Sequence, residues 1–268
     1  MAIKLIALDM DGTLLNRNLI IPQRSLAAIA AALSQGIKVT IATGRMFCSA
    51  QPYARRLGLG DIPLVTYNGG LIKTAETGQT LFHLPVPQDL AREVVKFALA
   101  RGIYIHYYLD DQVLVPEVNG KSRLYYEISQ IEPIPVGDLL KALSGNPTKL
   151  LIIEDGEKMP GITRELNQEF GDRFYLTASY PFFLEIMHRD ISKARSLSLV
   201  AGHLGIERED VLAIGDSYND LEMLEYAGLG VAIKGAPREV QAVADYVPRA
   251  DGEEGVAEAI ERFVLRGS

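Results

Sequence analysis

Cysteine is nearly absent from this 268-residue chain, with Cys48 standing alone. No internal disulfide can form and no paired-cysteine zinc cluster exists, which fits a reducing compartment. Histidine is scarce too, and His83, His106, His188 and His203 show no ligand spacing. No run of 18 uncharged apolar residues occurs, so no membrane-spanning helix is expected. The apolar start is cut by Asp9 and reads as neither signal peptide nor membrane span. A Walker loop and a Gly-x-Ser-x-Gly elbow are both missing, and Gly228-Leu229-Gly230 lacks the third glycine and the helix of a dinucleotide fingerprint. Repeats and low-complexity tracts are absent. Nor is positive charge in excess: 27 Lys and Arg face 34 Asp and Glu, a net charge of -7. Such a surface repels phosphate backbones, so nucleic acid is not an expected partner. A small anion held at a locally positive site remains compatible. Together these absences point to a soluble, cytoplasmic protein without a membrane partner.

Hydrophobic residues make up 48% and charged residues 23%, enough for a sizeable core in one large domain or two modest ones. Short apolar runs at Ile3 to Leu8, Ile37 to Ile41, Pro63 to Tyr67, Val211 to Ile214 and Leu229 to Ile233 read as buried strands. Helical patterns lie between them. In the first helix Leu26, Ile29, Ala30 and Leu33 recur at helical spacing, with Gly36 placed to cap it. Asn68-Gly69-Gly70 turns the chain before a hairpin. A different block follows Pro85-Val86-Pro87, a plausible hinge, with strands near 103–109, 113–115, 149–153, 174–178 and 182–187. Repeated strand–helix units argue for an α/β fold with a parallel, doubly wound sheet covered on both faces.

Four stretches carry candidate chemistry. Asp9-Met10-Asp11-Gly12-Thr13 follows the first strand, where ligands of open α/β sheets bind. Two acids there can divide attack and proton transfer. An Asp-Gly hairpin turn also accounts for the stretch, while a calcium loop is disfavoured by Thr13 and Ile20 at ligand positions. Gly215-Asp216-Ser217-Tyr218-Asn219-Asp220 again joins strand to helix, although Ser217 with Asp220 also resembles a capping box. If Asp9, Asp11, Asp216 and Asp220 converge, their repulsion calls for a hard cation held by oxygen, such as Mg2+. Thr43-Gly44-Arg45 offers a hydroxyl and open amides for phosphate oxygens, or simply a capped turn. Lys193, at a helix start, either neutralises a phosphate or is an ordinary surface lysine. Cys48 reads as a small buried residue. Tyr104, His106 and Tyr108 share one strand face, either touching substrate or as half-buried packing.

These motifs, in this order, resemble the haloacid dehalogenase superfamily. Thr66-Tyr67-Asn68-Gly69-Gly70-Leu71-Ile72 and Phe183-Leu184-Glu185-Ile186 are similar to its Cof-type sugar-phosphatase branch. The resemblance implies that Asp9 attacks phosphorus to form an aspartyl-phosphate and that Asp11 protonates the leaving oxygen and then activates water. It implies Mg2+ at the Asp9 carboxylate, the Asp11 main-chain carbonyl and the Asp216 carboxylate, with Asp220 helping to build the site. Thr43, Gly44, Lys193 and Asn219 would grip the phosphoryl oxygens. It further implies a Rossmann-like core of residues 1–84 and 188–268 and an inserted α/β cap of the C2B type at 85–187, expected to close over the site. Ala194 departs from the glycine that many relatives carry after the lysine, and the helix start is a place to look for a shift. The expected activity is hydrolysis of a small phosphorylated metabolite. The alternatives are a phosphomutase of the same capped type and a non-catalytic sensor of phosphate ligands, which would have no need of both Asp9 and Asp11.

Overall fold

The computed structural model describes residues 2–250 and 252–265. Its strands are β1 (Leu5–Leu8), β2 (Lys38–Ile41), β3 (Pro63–Thr66), β4 (Leu71–Thr74), β5 (Thr80–His83), β6 (Ile105–Leu109), β7 (Gln112–Val115), β8 (Ile134–Pro135), β9 (Lys149–Ile153), β10 (Phe174–Thr177), β11 (Phe183–His188), β12 (Val211–Gly215) and β13 (Leu229–Ala232). The helices are α1 (Gln23–Ser34), α2 (Phe47–Arg56), α3 (Gln88–Ala100), α4 (Gly120–Ser129), α5 (Leu139–Ala142), α6 (Met159–Phe170), α7 (Lys193–His203), α8 (Leu221–Tyr226), α9 (Arg238–Val243) and α10 (Glu254–Ile260). The chain divides into two compact units, Met1–Phe82 with Ser192–Ser268, and His83–Ile191.

The first unit is built on the parallel sheet β13-β12-β1-β2. Its strands are continuous apolar runs because both faces are covered, so no alternation with polar residues is needed. Leu5 to Leu8 are all buried, as are Val211 to Gly215. Leu8 stands level with Ile214 on one side and Ile41 on the other. A parallel bridge between Ala42 and Val65 carries the sheet on to β3, which opens the small sheet β3-β4-β5. From β1 the chain steps to β2 on one side and returns to β12 on the other. The strand order therefore reverses between β1 and β12, and the crevice beyond their carboxyl ends is where such sheets bind ligands. One face packs Leu197, Val200 and Ala201 of α7 and Met223 and Leu224 of α8 against Leu5, Ala7, Val211 and Ala213.

Helix α1 forms as expected, and its buried face takes in only part of the apolar set read in the sequence. It buries Ser25, Ala28, Ile29 and Ala32, while Ala30 is exposed and Leu26 and Leu33 are half-buried. Small residues suit its close packing on α10, and the Ser25 hydroxyl donates to the Glu253 carbonyl at 3.0 Å. Cys48, expected to be buried, is half-exposed in α2.

The second unit carries a six-stranded sheet, order β10-β11-β9-β6-β7-β8, antiparallel except between β7 and β8. One face packs Ile105, Tyr107, Leu150, Ile152, Leu184 and Ile186 on α3 and α6. The other carries Tyr104, His106 and Tyr108, which are buried rather than half-buried. Burial, and then the charge of Lys149, push His106 down to about 3, so the ring is neutral. It lies 3.2 Å from the Tyr108 hydroxyl, and Tyr125 of α4 packs on it. On the same face Lys149 and Glu185 form a buried ion pair at 3.4 Å.

Replacing Leu212 on β12 by alanine, in a fully buried position, is expected to cost about 2–5 kcal/mol. Urea unfolding of the two proteins measures it, and a loss under ~1 kcal/mol would contradict the packing described.

Candidate active site

The acidic residues of the first and last motifs meet because β1 and β12 are neighbours. Asp9 follows β1 directly and prolongs the ladder, its amide donating to the Ile214 carbonyl at 2.9 Å. Asp216 follows β12. Oxygens of Asp9, Asp216 and Asp220 all lie within 4.8 Å of one another. Asp9 and Asp220 are buried and Asp216 is half-buried.

Lys193 is the cation that these acids share. It opens α7, whose N-cap Ser192 accepts from the Arg195 amide. Its ammonium donates to Asp9 Oδ1 and to Asp220 Oδ1, each at 2.7 Å, with the side chain fully enclosed. Ala194 is accommodated in the first turn of α7 with the Ser192 cap intact. The other oxygen of Asp220 accepts from the Asp216 and Ser217 amides at 3.1 Å, completing the capping box with Ser217. Capping and site building are thus the same interaction. Thr13 donates to Asp216 Oδ1 at 2.6 Å. Gly12 has φ +85°, and a side chain there would lie 2.5 Å from Asp216 Oδ2. Glycine is required both by the backbone and by this close approach.

Three carboxylates and one ammonium leave the cluster negative. Two unit charges about 4.8 Å apart repel by roughly 3.5 kcal/mol at an effective dielectric of 20. Burial raises Asp9 well above the usual carboxylate range, Lys193 opposing and Asp220 and Asp216 adding to it. Burial also lifts Asp216 to about 6, with the Thr13 hydrogen bond opposing and Asp220 reinforcing. Lys193 is pushed up: burial works against its charge, but Asp220 and Asp9 outweigh it. The donor set is all carboxylate, with no imidazole or thiolate among the clustered groups. It fits a hard divalent cation of the Mg2+ kind.

The Asp11 carboxylate stands outside that cluster. Its side chain is 54% exposed and bound in a two-pronged pair by Arg45, at 2.7 Å from Nε and 2.5 Å from Nη2. The Thr43 hydroxyl accepts from the Arg45 amide at 3.1 Å, leaving its own hydrogen for another acceptor. Asn219 reaches Asn68, its Nδ2 donating to Asn68 Oδ1 at 2.9 Å. The Asn219 Oδ1 is buried with no partner among the described residues, which costs about 1–3 kcal/mol.

The structure therefore brings together Asp9, Asp216, Asp220 and Lys193, ties Asn219 to Asn68, and sets Asp11 apart on Arg45. Three partners escaped the sequence reading. Thr13 and Arg45 lay inside recognised motifs without a role, and the charge of Arg45 within Thr43-Gly44-Arg45 was the available signal. Asn68 stood in a quoted stretch with no chemistry attached.

An open α/β sheet with a lysine-clamped acidic cluster at its switch point defines an enzyme of the phosphate-transferring or hydrolysing kind. Residues 6–260 match the family of haloacid dehalogenase-like hydrolases, and the chain belongs to that family. It is 31% identical over 288 residues to the 5-amino-6-(5-phospho-D-ribitylamino)uracil phosphatase YwtE of Bacillus subtilis, covering 97% of this chain and 98% of the relative. The crystal structure of a haloacid dehalogenase-like hydrolase from Bacteroides thetaiotaomicron is similar with a TM-score of 0.89 and 31% identity, over 97% of this chain and 99% of that one. BT1666, a phosphatase of the superfamily from the same organism, aligns with a TM-score of 0.82 and 26% identity, over 98% and 95%. The chain is accordingly a phosphatase. No helix among the described residues is long and apolar enough to cross a membrane.

Removing Asp220 takes from the buried ammonium one of its two carboxylates and frees the 216–217 turn. Asp220→Ala is expected to lose about 3–5 kcal/mol of stability, measured by urea unfolding in a chelating buffer. Stability equal to wild type would contradict the assignment of Asp220 as the organiser of this turn.

Proposed function

We propose that this protein is a Mg2+-dependent phosphatase that hydrolyses small phosphate monoesters, sugar phosphates or related metabolites, through an aspartyl-phosphate on Asp9. One observation carries the reading: Asp9 sits at the tip of the central strand with one oxygen held by Lys193, leaving the other to attack. Holding the nucleophile in one orientation removes much of the entropic barrier to in-line attack.

In the first step Asp9 Oδ2 forms a bond to phosphorus while the bond from phosphorus to the ester oxygen breaks. Asp11 gives its proton to the departing oxygen. In the second, Asp11, now a carboxylate, takes a proton from water as that water attacks phosphorus. The bond to Asp9 breaks and inorganic phosphate leaves. Arg45 holds the Asp11 carboxyl by two hydrogen bonds, and the carboxyl must leave them to reach the departing oxygen. Its exposure leaves room for that movement. Lys193, Thr43, the Gly44 amide and Asn219 hold the phosphoryl oxygens. Mg2+ would be held by Asp9, Asp216 and the Asp11 carbonyl, with Asp220 behind them, and would supply neutralisation of charge on the phosphoryl group. Both oxygens of Asp220 are already engaged, which supports a supporting place for it.

The second unit is read as the C2B-type cap that selects the alcohol part of the ester. The Bacillus subtilis relative is named for a ribityl phosphate, so polyol and sugar phosphates head the substrate panel. We also assign the protein to the cytoplasm.

With p-nitrophenyl phosphate, turnover is expected to require Mg2+ and to stop on chelation. Asp9→Asn should lower kcat by roughly 10^4-fold or more. Turnover that persists in either case refutes the mechanism. Release of free phosphate, rather than formation of an isomeric sugar phosphate, separates hydrolysis from phosphoryl return to the sugar.

A further inference from the structure

We propose that Asn68 is a positioning residue of this site, which orients the Asn219 amide and holds the Thr43-Gly44 turn at the height a phosphoryl group requires. The inference rests on the phosphatase reading and assigns part of its phosphate grip to the turn between β3 and β4.

That turn is held in an uncommon shape. Tyr67, Asn68 and Gly69 have φ of +52°, +54° and +100° in succession. The left-handed region is disfavoured for a tyrosine and better tolerated by asparagine. The shape is kept by clamps on two sides. The Asn68 amide donates to the Thr43 carbonyl and the Tyr67 amide to the Arg45 carbonyl, both at 2.9 Å. On the other side Ser196 of α7 donates to the Gly69 carbonyl at 2.7 Å. A side chain at residue 69 would run into the carbonyl of Ser192, the residue before Lys193. The turn thus touches both the Thr43-Gly44-Arg45 segment and the helix start that delivers Lys193.

The Asn68 side chain joins a third element. Its Oδ1 receives the Asn219 Nδ2 at 2.9 Å and occupies the space a side chain on Gly44 would need, 2.9 Å from that position. Residue 44 must therefore be glycine for Asn68 to reach Asn219. The carbonyl end of Asn219 has no donor among the described residues, so Asn68 decides which way this amide points. Reversing it would set two carbonyl oxygens against each other. With one Nδ2 hydrogen on Asn68, the second is left for a phosphoryl oxygen.

The test uses the full chain and inorganic phosphate as a competitive inhibitor of p-nitrophenyl phosphate hydrolysis. Asn68→Gly removes the amide and keeps a residue at ease with positive φ, Asn68→Ala gives a second truncation, and both are combined with Asn219→Ala. Each single variant is expected to raise the phosphate Ki and the KM roughly tenfold, with kcat falling less. The double variants should be no worse than Asn219→Ala alone, with melting temperatures reported alongside. A residue that only stabilised the fold would lower the melting temperature, and its effect would multiply with that of Asn219→Ala. An unchanged Ki in active Asn68→Gly, multiplied losses in the double variant, or an unchanged Ki in Asn219→Ala would each overturn the proposal. Turnover surviving Asp9→Asn counts against the nucleophile alone, the Ki comparisons of the Asn68 variants and their doubles count against Asn68 alone, and an unchanged Ki in Asn219→Ala counts against the phosphate contact of Asn219.

Discussion

A lysine ammonium with no access to water is costly to bury, by several kcal/mol even after relaxation, unless its partners are close and well oriented. In Lys193 both conditions are met by two carboxylates at 2.7 Å, and much of the site's order follows. One partner, Asp9, ends β1. The other, Asp220, sends its second oxygen back to the amides after β12. The lysine itself starts α7. A single charge therefore registers two strand ends and a helix. The acids in turn need the ammonium, since three carboxylates within 4.8 Å would otherwise face one another uncompensated. Even with it the set stays negative, which is the condition under which a divalent cation is attracted.

Close approach is the second constraint, and glycine is where it becomes visible. A side chain at residue 12 would strike the Asp216 carboxylate, one at 44 the Asn68 amide, and one at 215 would come within 2.6 Å of the Asp220 carboxyl carbon. Each of these glycines lies in one of the motifs, and two of the three, Gly12 and Gly44, admit a polar residue from a distant segment. Their value lies in letting a carboxylate or amide sit against the main chain, where backbone donors and side chains can reach it together.

Much of this was legible in the sequence because parallel strands buried on both faces are continuous apolar runs. Leu5 to Leu8 and Val211 to Ile214 are such runs, the first followed at once by Asp9 and the second, after Gly215, by Asp216. What escaped depends on contacts between distant segments. The buried face of α1 joins Ser25, Ala28 and Ala32 to Ile29, and the spacing of large apolar residues alone does not single out the small ones. Cys48 carries no periodic signal strong enough to fix its exposure. Tyr104, His106 and Tyr108 were recognised as one face, but their full burial depends on α4, with Tyr125 laid over His106. No local pattern announces that covering. Asn68 was visible only as part of a family-like stretch, because its partner lies 151 positions away.

The two carboxylates of the first motif differ for a reason set by chain geometry. Asp9 continues the strand and so points into the crevice, where burial and neighbouring acids raise it. Two residues later the chain has left the sheet and is folding back, with the Leu15 amide donating to the Met10 carbonyl at 2.8 Å. Asp11 is carried outward to Arg45 and keeps more than half of its side chain exposed. In the mechanism we propose, the nucleophile benefits from being fixed, whereas the acid–base group needs a route to water. Two positions of spacing across the end of a strand produce that division, and the glycine that follows lets Asp216 close in behind them.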